Sequence, residues 1–147
     1  MKKKDEELEK YAINSLLNID SRLTQTRRSL IYLLKKVAHP ITVVEISNAH
    51  PEIAQSSLYR NLVVLEDAGL VKRLVTENEF AYYELADELL GHHHHLRCSK
   101  CGDFIDIELT SEVENALVKL EKSLSKKYTF IDIDHHLEFI GTCNNCK

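Results

Sequence analysis

Four of the eight histidines and two of the four cysteines fall inside one short stretch, Gly91-His92-His93-His94-His95-Leu96-Arg97-Cys98-Ser99-Lys100-Cys101-Gly102. Residues of these types at this density do metal chemistry. Two thiols with two residues between them can reach one tetrahedral ion through a tight turn, and the chain supplies a second such pair, Cys143 and Cys146. Four thiolates with no other cysteine in the chain specify a closed structural zinc site. The histidines require a separate argument. Leu96 and Arg97 run directly into the cysteine turn, so the backbone here is expected to be extended. Alternation along a strand then puts His92 and His94 on one face and His93 and His95 on the other. Each pair is half of a divalent-metal site and needs about two or three further nitrogen or oxygen ligands from elsewhere.

The elements that must position these ligands belong to a chain of 147 residues, enough for one ordinary domain or two small ones that draw on zinc or oligomerisation for stability. No run of eighteen apolar residues is present, and the charged opening of residues 1–10 has no apolar run behind it. Cysteines spaced as ligands suit a reducing compartment, so a cytoplasmic protein without a membrane partner is expected. The formal net charge of −4 is unevenly placed: residues 21–73 hold eight Lys/Arg against four Asp/Glu, and residues 74–147 hold seven against fourteen. A basic front and an acidic back fit a DNA-contacting module joined to a carboxylate-rich, cation-binding one.

Apolar residues recur at helical spacing over residues 11–17, which predicts a short leading helix. Residues 24–36 read as a second helix with Thr24 as its cap, stopped by Pro40. A third opens at Thr42, where Glu45 three residues on completes a capping-box pattern, and ends near His50-Pro51. A fourth is expected after a serine cap at Ser56-Ser57 and ends at Gly69, with Leu58, Leu62 and Leu65 on its inner face. Ser57, Tyr59, Arg60 and Asn61 then project near its N-terminus, where a recognition helix meets base edges and phosphates. Residues 70–75 and 80–85 form a hairpin about the polar turn 76–79. Residues 1–85 are thus a winged helix-turn-helix domain and 86–91 a linker. Residues 92–147 make a small α/β domain: a strand at 104–109, a helix of about sixteen residues from Ser111, and one or two strands over 130–140. Its few strands leave an edge or helix face to be completed by a second copy, so the fold class is α+β with a dimerisation domain around a four-cysteine zinc site.

These residues resemble the ferric uptake regulator (Fur) family of metal-dependent bacterial transcription regulators over nearly the whole chain. The resemblance is carried by Leu23-Thr24-Gln25-Thr26-Arg27, the Ser57-Leu58-Tyr59-Arg60-Asn61-Leu62 helix, Asp67-Ala68-Gly69-Leu70-Val71, Tyr83-Glu84-Leu85, the histidine tetrad before Cys98-Ser99-Lys100-Cys101-Gly102, and His135 eight residues before Cys143. It implies a homodimer that binds double-stranded operator DNA when loaded with metal and represses metal-homeostasis genes. It assigns structural zinc to Cys98, Cys101, Cys143 and Cys146. A regulatory divalent metal, Zn2+ or Fe2+ with Mn2+ also admitted, falls to His39, Glu84, His93, His95 and Asp106. A further site takes His92, His94, Glu114 and His135. Asp87 rivals Glu84, and Glu112 rivals Glu114, which could instead serve as the capping-box partner of Ser111. Arg22, Arg27, Arg28, Ser57, Tyr59 and Arg60 are the implied DNA contacts. Asp106 stands where peroxide-sensing members carry Asp, which keeps peroxide sensing through bound iron as an alternative. Two readings from other classes compete: a zinc hydrolase using the tetrad with Glu84 as base, and a zinc-binding interaction module without DNA contact. The chain has four glycines and no recognisable nucleophile or phosphate loop, and no small organic substrate is expected.

Overall fold

The computed structural model describes residues 2–76 and 79–147, with the side chains of residues 2–4 excepted. Glu77 and Asn78, the centre of the expected hairpin turn, lie outside the described residues. The chain divides into two units, Met1–His92 and His93–Lys147.

The first unit opens with α1 (Lys2–Leu17), longer than the apolar spacing of residues 11–17 indicates. Its Leu8, Ala12 and Leu16 repeat every four residues, which makes one buried stripe. In α2 (Gln25–Val37) Thr24 caps the N-terminus by accepting from the Arg27 N–H, and Ala38 closes the helix in the left-handed conformation. β1 (Ile41–Thr42) leads into α3 (Val43–Ala49) through the expected capping box: the Thr42 hydroxyl accepts from the Glu45 N–H, and the Glu45 carboxylate takes the Thr42 N–H at 2.7 Å. The fourth helix, α4 (Gln55–Asp67), starts earlier than the serine cap predicts. Ala54 is the cap residue, its carbonyl accepting from Ser57 and Leu58, while the Ser57 hydroxyl is engaged by Asn61 inside the helix.

Gly69, at φ +67°, ends α4 as expected; the Leu70 N–H returns to the Leu65 carbonyl, a reversal that suits a residue without Cβ. β2 (Val71–Val75) and β3 (Ala81–Leu85) pair antiparallel, and β1 adds to the far side of β3 with Ile41 opposite Tyr83. Leu30, Leu34, Ile46, Leu58, Leu62, Leu65, Leu70 and Leu85 fill one core among these elements. This is a winged helix-turn-helix. Within residues 86–91, Asp87–Leu90 is a helical turn, α5, held by the Ala86 N–H to the Leu70 carbonyl and by Lys72 Nζ to Asp87 at 2.6 Å.

In the second unit β4 (His94–Cys98) pairs antiparallel with β5 (Phe104–Ile107). It pairs in parallel with β6 (Glu138–Gly141) on its other side. A parallel pair needs a crossover, which α6 (Ser111–Tyr128) supplies. Helix α6 runs to 18 residues rather than about sixteen, and Thr110, not Ser111, is its cap residue. Residues 130–137 do not form the expected strand. Thr129 and Asp132 take positive φ, which breaks an extended run, and the Asp134 carboxylate accepts from the His135 N–H. A short 3-10 turn, Asn144–Cys146, follows β6. The buried Arg97 on β4 grips Glu138 on β6 through Nε and Nη2, at 3.1 and 3.3 Å.

Candidate metal centres

The four cysteines converge, their sulfur atoms all within 4.8 Å of one another. Strand register explains it: Cys98 ends β4 opposite Gly141 of β6, so the turn after each strand brings its second thiol into the same space. Gly102 at φ +81° and its N–H to the Cys98 carbonyl fold the first pair; the Cys146 N–H to the Cys143 carbonyl folds the second. All four thiols are free, with Cys101 and Cys143 sulfurs 3.8 Å apart. Backbone N–H groups of Cys101, Cys143 and Lys100 converge on the Cys98 sulfur and lower its pKa to about 6. The Asp103 N–H acts in the same sense on Cys101. The hydrogen bond with Cys98, together with burial, outweighs it and raises Cys101 to about 12. Cys146 is raised through its hydrogen bond with Cys143. A pocket that already stabilises one thiolate and gathers three more sulfurs around it has the donor set of a structural zinc site with four thiolate ligands.

The strand β4 begins at His94, later than the extended run expected over the whole tetrad, and its two histidines, His94 and His95, face different groups in the second unit. His95, 2% exposed, lies opposite Asp106 in the β4–β5 register, with Nε2 3.8 Å from the carboxylate. The His93 ring meets the His95 ring edge-on at 4.9 Å. His136, which the sequence reading did not single out, lies 6.0 Å from His95 ring to ring. The other group forms against α6. His94, also 2% exposed, sits 2.8 Å from Glu114, and its ring stacks on His135 at 5.2 Å. His135 Nε2 lies 3.8 Å from the other Glu114 oxygen. The Ser111–Glu114 capping box does not form; the Glu114 carboxylate faces His94 instead. Glu112 is exposed, and its pKa is lowered by its own backbone N–H and by the Thr110 hydroxyl at the start of α6. Imidazole pairs with a carboxylate are the donor chemistry that zinc, iron and manganese all accept.

In the first unit, Glu84 lies buried in β3 and pairs in register with Lys72. Asp87 is taken up by Lys72 and lies 4.0 Å from His92. His39 is exposed beside the Pro40 carbonyl. Of the residues read as DNA contacts, Arg22, Tyr59 and Arg60 are exposed. Ser57 is half-buried and receives Asn61. The Arg27 guanidinium is held by the Asn61 side chain, the Ser21 hydroxyl and the Arg22 carbonyl, and Arg28 lies 3.4 Å from Glu9 of α1. Asn61 thereby becomes the brace between the starts of α2 and α4. The polar Ser57–Asn61 spacing of one helical turn was the sequence signal for it.

A winged-helix reader joined to a unit dense in cation ligands is the make-up of a metal-responsive DNA-binding regulator. The chain belongs to the ferric uptake regulator family, whose model matches residues 18–140. It is 32% identical to the peroxide-responsive repressor PerR of Staphylococcus epidermidis over 151 aligned positions, covering 97% of this chain and 92% of that protein. Among solved structures it resembles the Vibrio cholerae ferric uptake regulator at 25% identity and a TM-score of 0.69, over 88% of this chain and 98% of that one. It also resembles the Campylobacter jejuni peroxide stress regulator at 26% identity and a TM-score of 0.61, over 82% of this chain and 87% of that one.

Proposed function

We propose that this chain is a homodimeric, cytoplasmic repressor of metal-homeostasis genes that grips operator DNA when a divalent cation occupies the histidine-rich sites. The observation that carries the reading is the β4–β5 register, which sets His95 against Asp106 with His93 beside it. His93, His95 and Asp106 would hold the regulatory cation, with Glu84 and His39 added by family resemblance. His94, Glu114 and His135 would hold a further one, with His92 added in the same way. Cys98, Cys101, Cys143 and Cys146 would hold zinc, whose chemical contribution is a permanent cross-link between the ends of β4 and β6.

Residues 1–85 would be the reader and 92–147 the dimeriser. Arg22, Tyr59 and Arg60 are exposed for phosphate and base edges. Arg27 acts through its brace on Asn61, Ser57 sits at the start of the reading helix, and Arg28 adds positive charge near the backbone. Val113, Leu120, Phe130, Ile131, Phe139 and Ile140 are large apolar side chains left 45% exposed or more, a surface that a second copy would cover. Turning a 1:99 equilibrium between weak and strong DNA-binding forms into 99:1 takes about 5.5 kcal/mol of differential cation affinity.

The test is fluorescence anisotropy on a duplex selected from genomic fragments by metal-loaded protein, titrated with zinc, iron(II) or manganese(II). DNA affinity should rise at least tenfold with one of them, and the H93A/H95A double variant should lose that response. Metal-independent affinity that survives the double variant refutes the reading. Peroxide response is the second reading, favoured by Asp106 opposite His95 and by the 32% identity to a peroxide-responsive repressor. It would rest on iron at the same residues. Release of DNA on adding peroxide to the iron-loaded form, but not to the manganese-loaded form, would select it.

A further inference from the structure

Helix α6 presents a second carboxylate to the histidine sites. Glu121 lies seven residues after Glu114, two turns on, so the two carboxylates share a face of α6. His135 stands against that face with one ring nitrogen toward each: Nδ1 is hydrogen-bonded to Glu121, and Nε2 points toward Glu114. Both members of the Glu121–His135 pair are largely withdrawn from solvent, with side chains 20% and 18% exposed.

We propose that Glu121 is a positioning residue: it holds the Nδ1–H of His135 and thereby turns the Nε2 lone pair toward the cation site of His94 and Glu114. A neutral imidazole carries one N–H, and a carboxylate can only accept, so the Glu121 contact decides which nitrogen keeps the proton. The local backbone leaves this task to the side chain: residues 130–137 form no strand ladder, and the His135 N–H is bonded to the Asp134 side chain. Carboxylate, imidazole and cation in line is the arrangement by which an outer carboxylate fixes the ring and raises its basicity as a ligand.

Glu121, Asp134 and His135 also approach within 4.8 Å of one another, so a separate cation site there is the competing interpretation. Asp134 argues against it. Its side chain is exposed and engaged by the His135 N–H at 2.8 Å.

The inference rests on the reading of His94, Glu114 and His135 as ligands, and the experiment separates the two. The full chain, holding zinc at its thiolates only, is compared with E121A, E121Q, D134A and H94A. Imidazole nitrogen-15 NMR reports the His135 tautomer, and a zinc titration in an H93A/H95A background, which removes the other histidine site, reports uptake at His94, Glu114 and His135. The parent should show protonated Nδ1, and E121A should move the proton toward Nε2 and weaken zinc uptake 10–100-fold. E121Q, whose amide oxygen still accepts, should recover part of both, and D134A should match the parent. If H94A binds zinc as the parent does, the ligand reading fails. If H94A weakens uptake but E121A changes neither tautomer nor affinity, the role of Glu121 alone is refuted. Equal losses in D134A and E121A, with uptake in H94A intact, would assign Glu121, Asp134 and His135 to a cation site of their own and overturn the proposal.

Discussion

Replacing Cys143 by serine should unfold the second unit and leave the first standing. Among the described residues, the buried apolar cluster runs from Leu8 to Leu85 and lies inside the first unit. Beyond Ala86 the buried side chains are His94, His95, Arg97 and Cys98. A unit spanning residues 93–147 is of a size for which even a good core supplies only about 3–5 kcal/mol. Structural zinc contributes on the order of 10–16 kcal/mol to small domains at neutral pH. A zinc ion held by these thiolates would therefore outweigh the core severalfold, and degrading its site by one thiolate should be decisive. Hydrogen exchange read by mass spectrometry is the assay. Amides of β4 and β5 should lose protection in C143S while those of α4 around Leu58, Leu62 and Leu65 keep it. Circular dichroism should lose the ellipticity of the 18-residue α6 and retain that of α1, α2 and α4. Full protection across β4 in a C143S protein shown to carry no zinc would refute the reasoning.

Three further outcomes follow from the packing. Thr42→Ala removes the hydroxyl half of the capping box that opens α3 and should cost about 1 kcal/mol, a fall of roughly 4–8 °C in the melting temperature of a domain this size; an unchanged melt would mean the box is redundant. Leu62→Ala empties a site with 0% exposure at the centre of the first unit. It should cost about 2–5 kcal/mol by urea denaturation, whereas a loss under about 1 kcal/mol would show that the helices close over the gap. Glu138→Ala strips the buried Arg97 of its forked partner. Because Glu138 is 24% exposed, the cost should fall below the ~3–5 kcal/mol of a fully buried pair. Restoration of stability by a second change, Arg97→Met, would identify the unpaired charge as the cause.

What was legible in the sequence was whatever local chemistry decides. Thr24 and the Thr42–Glu45 box mark two helix starts because a side chain and a backbone N–H three residues apart satisfy each other without help from elsewhere. The cysteine pairs were legible for the same reason, since a turn fixes each over a few residues; of the tetrad, His94 and His95 alternate on β4, while His92 and His93 precede the strand. What failed depended on distant partners or on competing hydrogen bonds. The serines before Leu58 read as caps, but Asn61 recruits Ser57 into the helix. Residues 130–137 alternate like a strand, yet positive φ at Asp132 and the Asp134 side chain claim the backbone first. β1 is two residues long and exists only because β3 lies beside it. Glu121 has no sequence signal except its two-turn separation from Glu114, which becomes informative once His135 is seen to lie against that face.

The strand β4 ties two chemistries to a single backbone alignment. Its last residue, Cys98, is anchored against the turn after β6, and three positions earlier His95 faces Asp106. Sliding a strand by one place sends each side chain to the opposite surface, so it is this alignment that sets His95, and not His94, against Asp106. With zinc bound, the sulfur cluster would act as the pin of that alignment. Oxidising or stripping it should unfold the unit that carries His95 and Asp106, and abolish any cation response with it, though neither of those side chains has been altered.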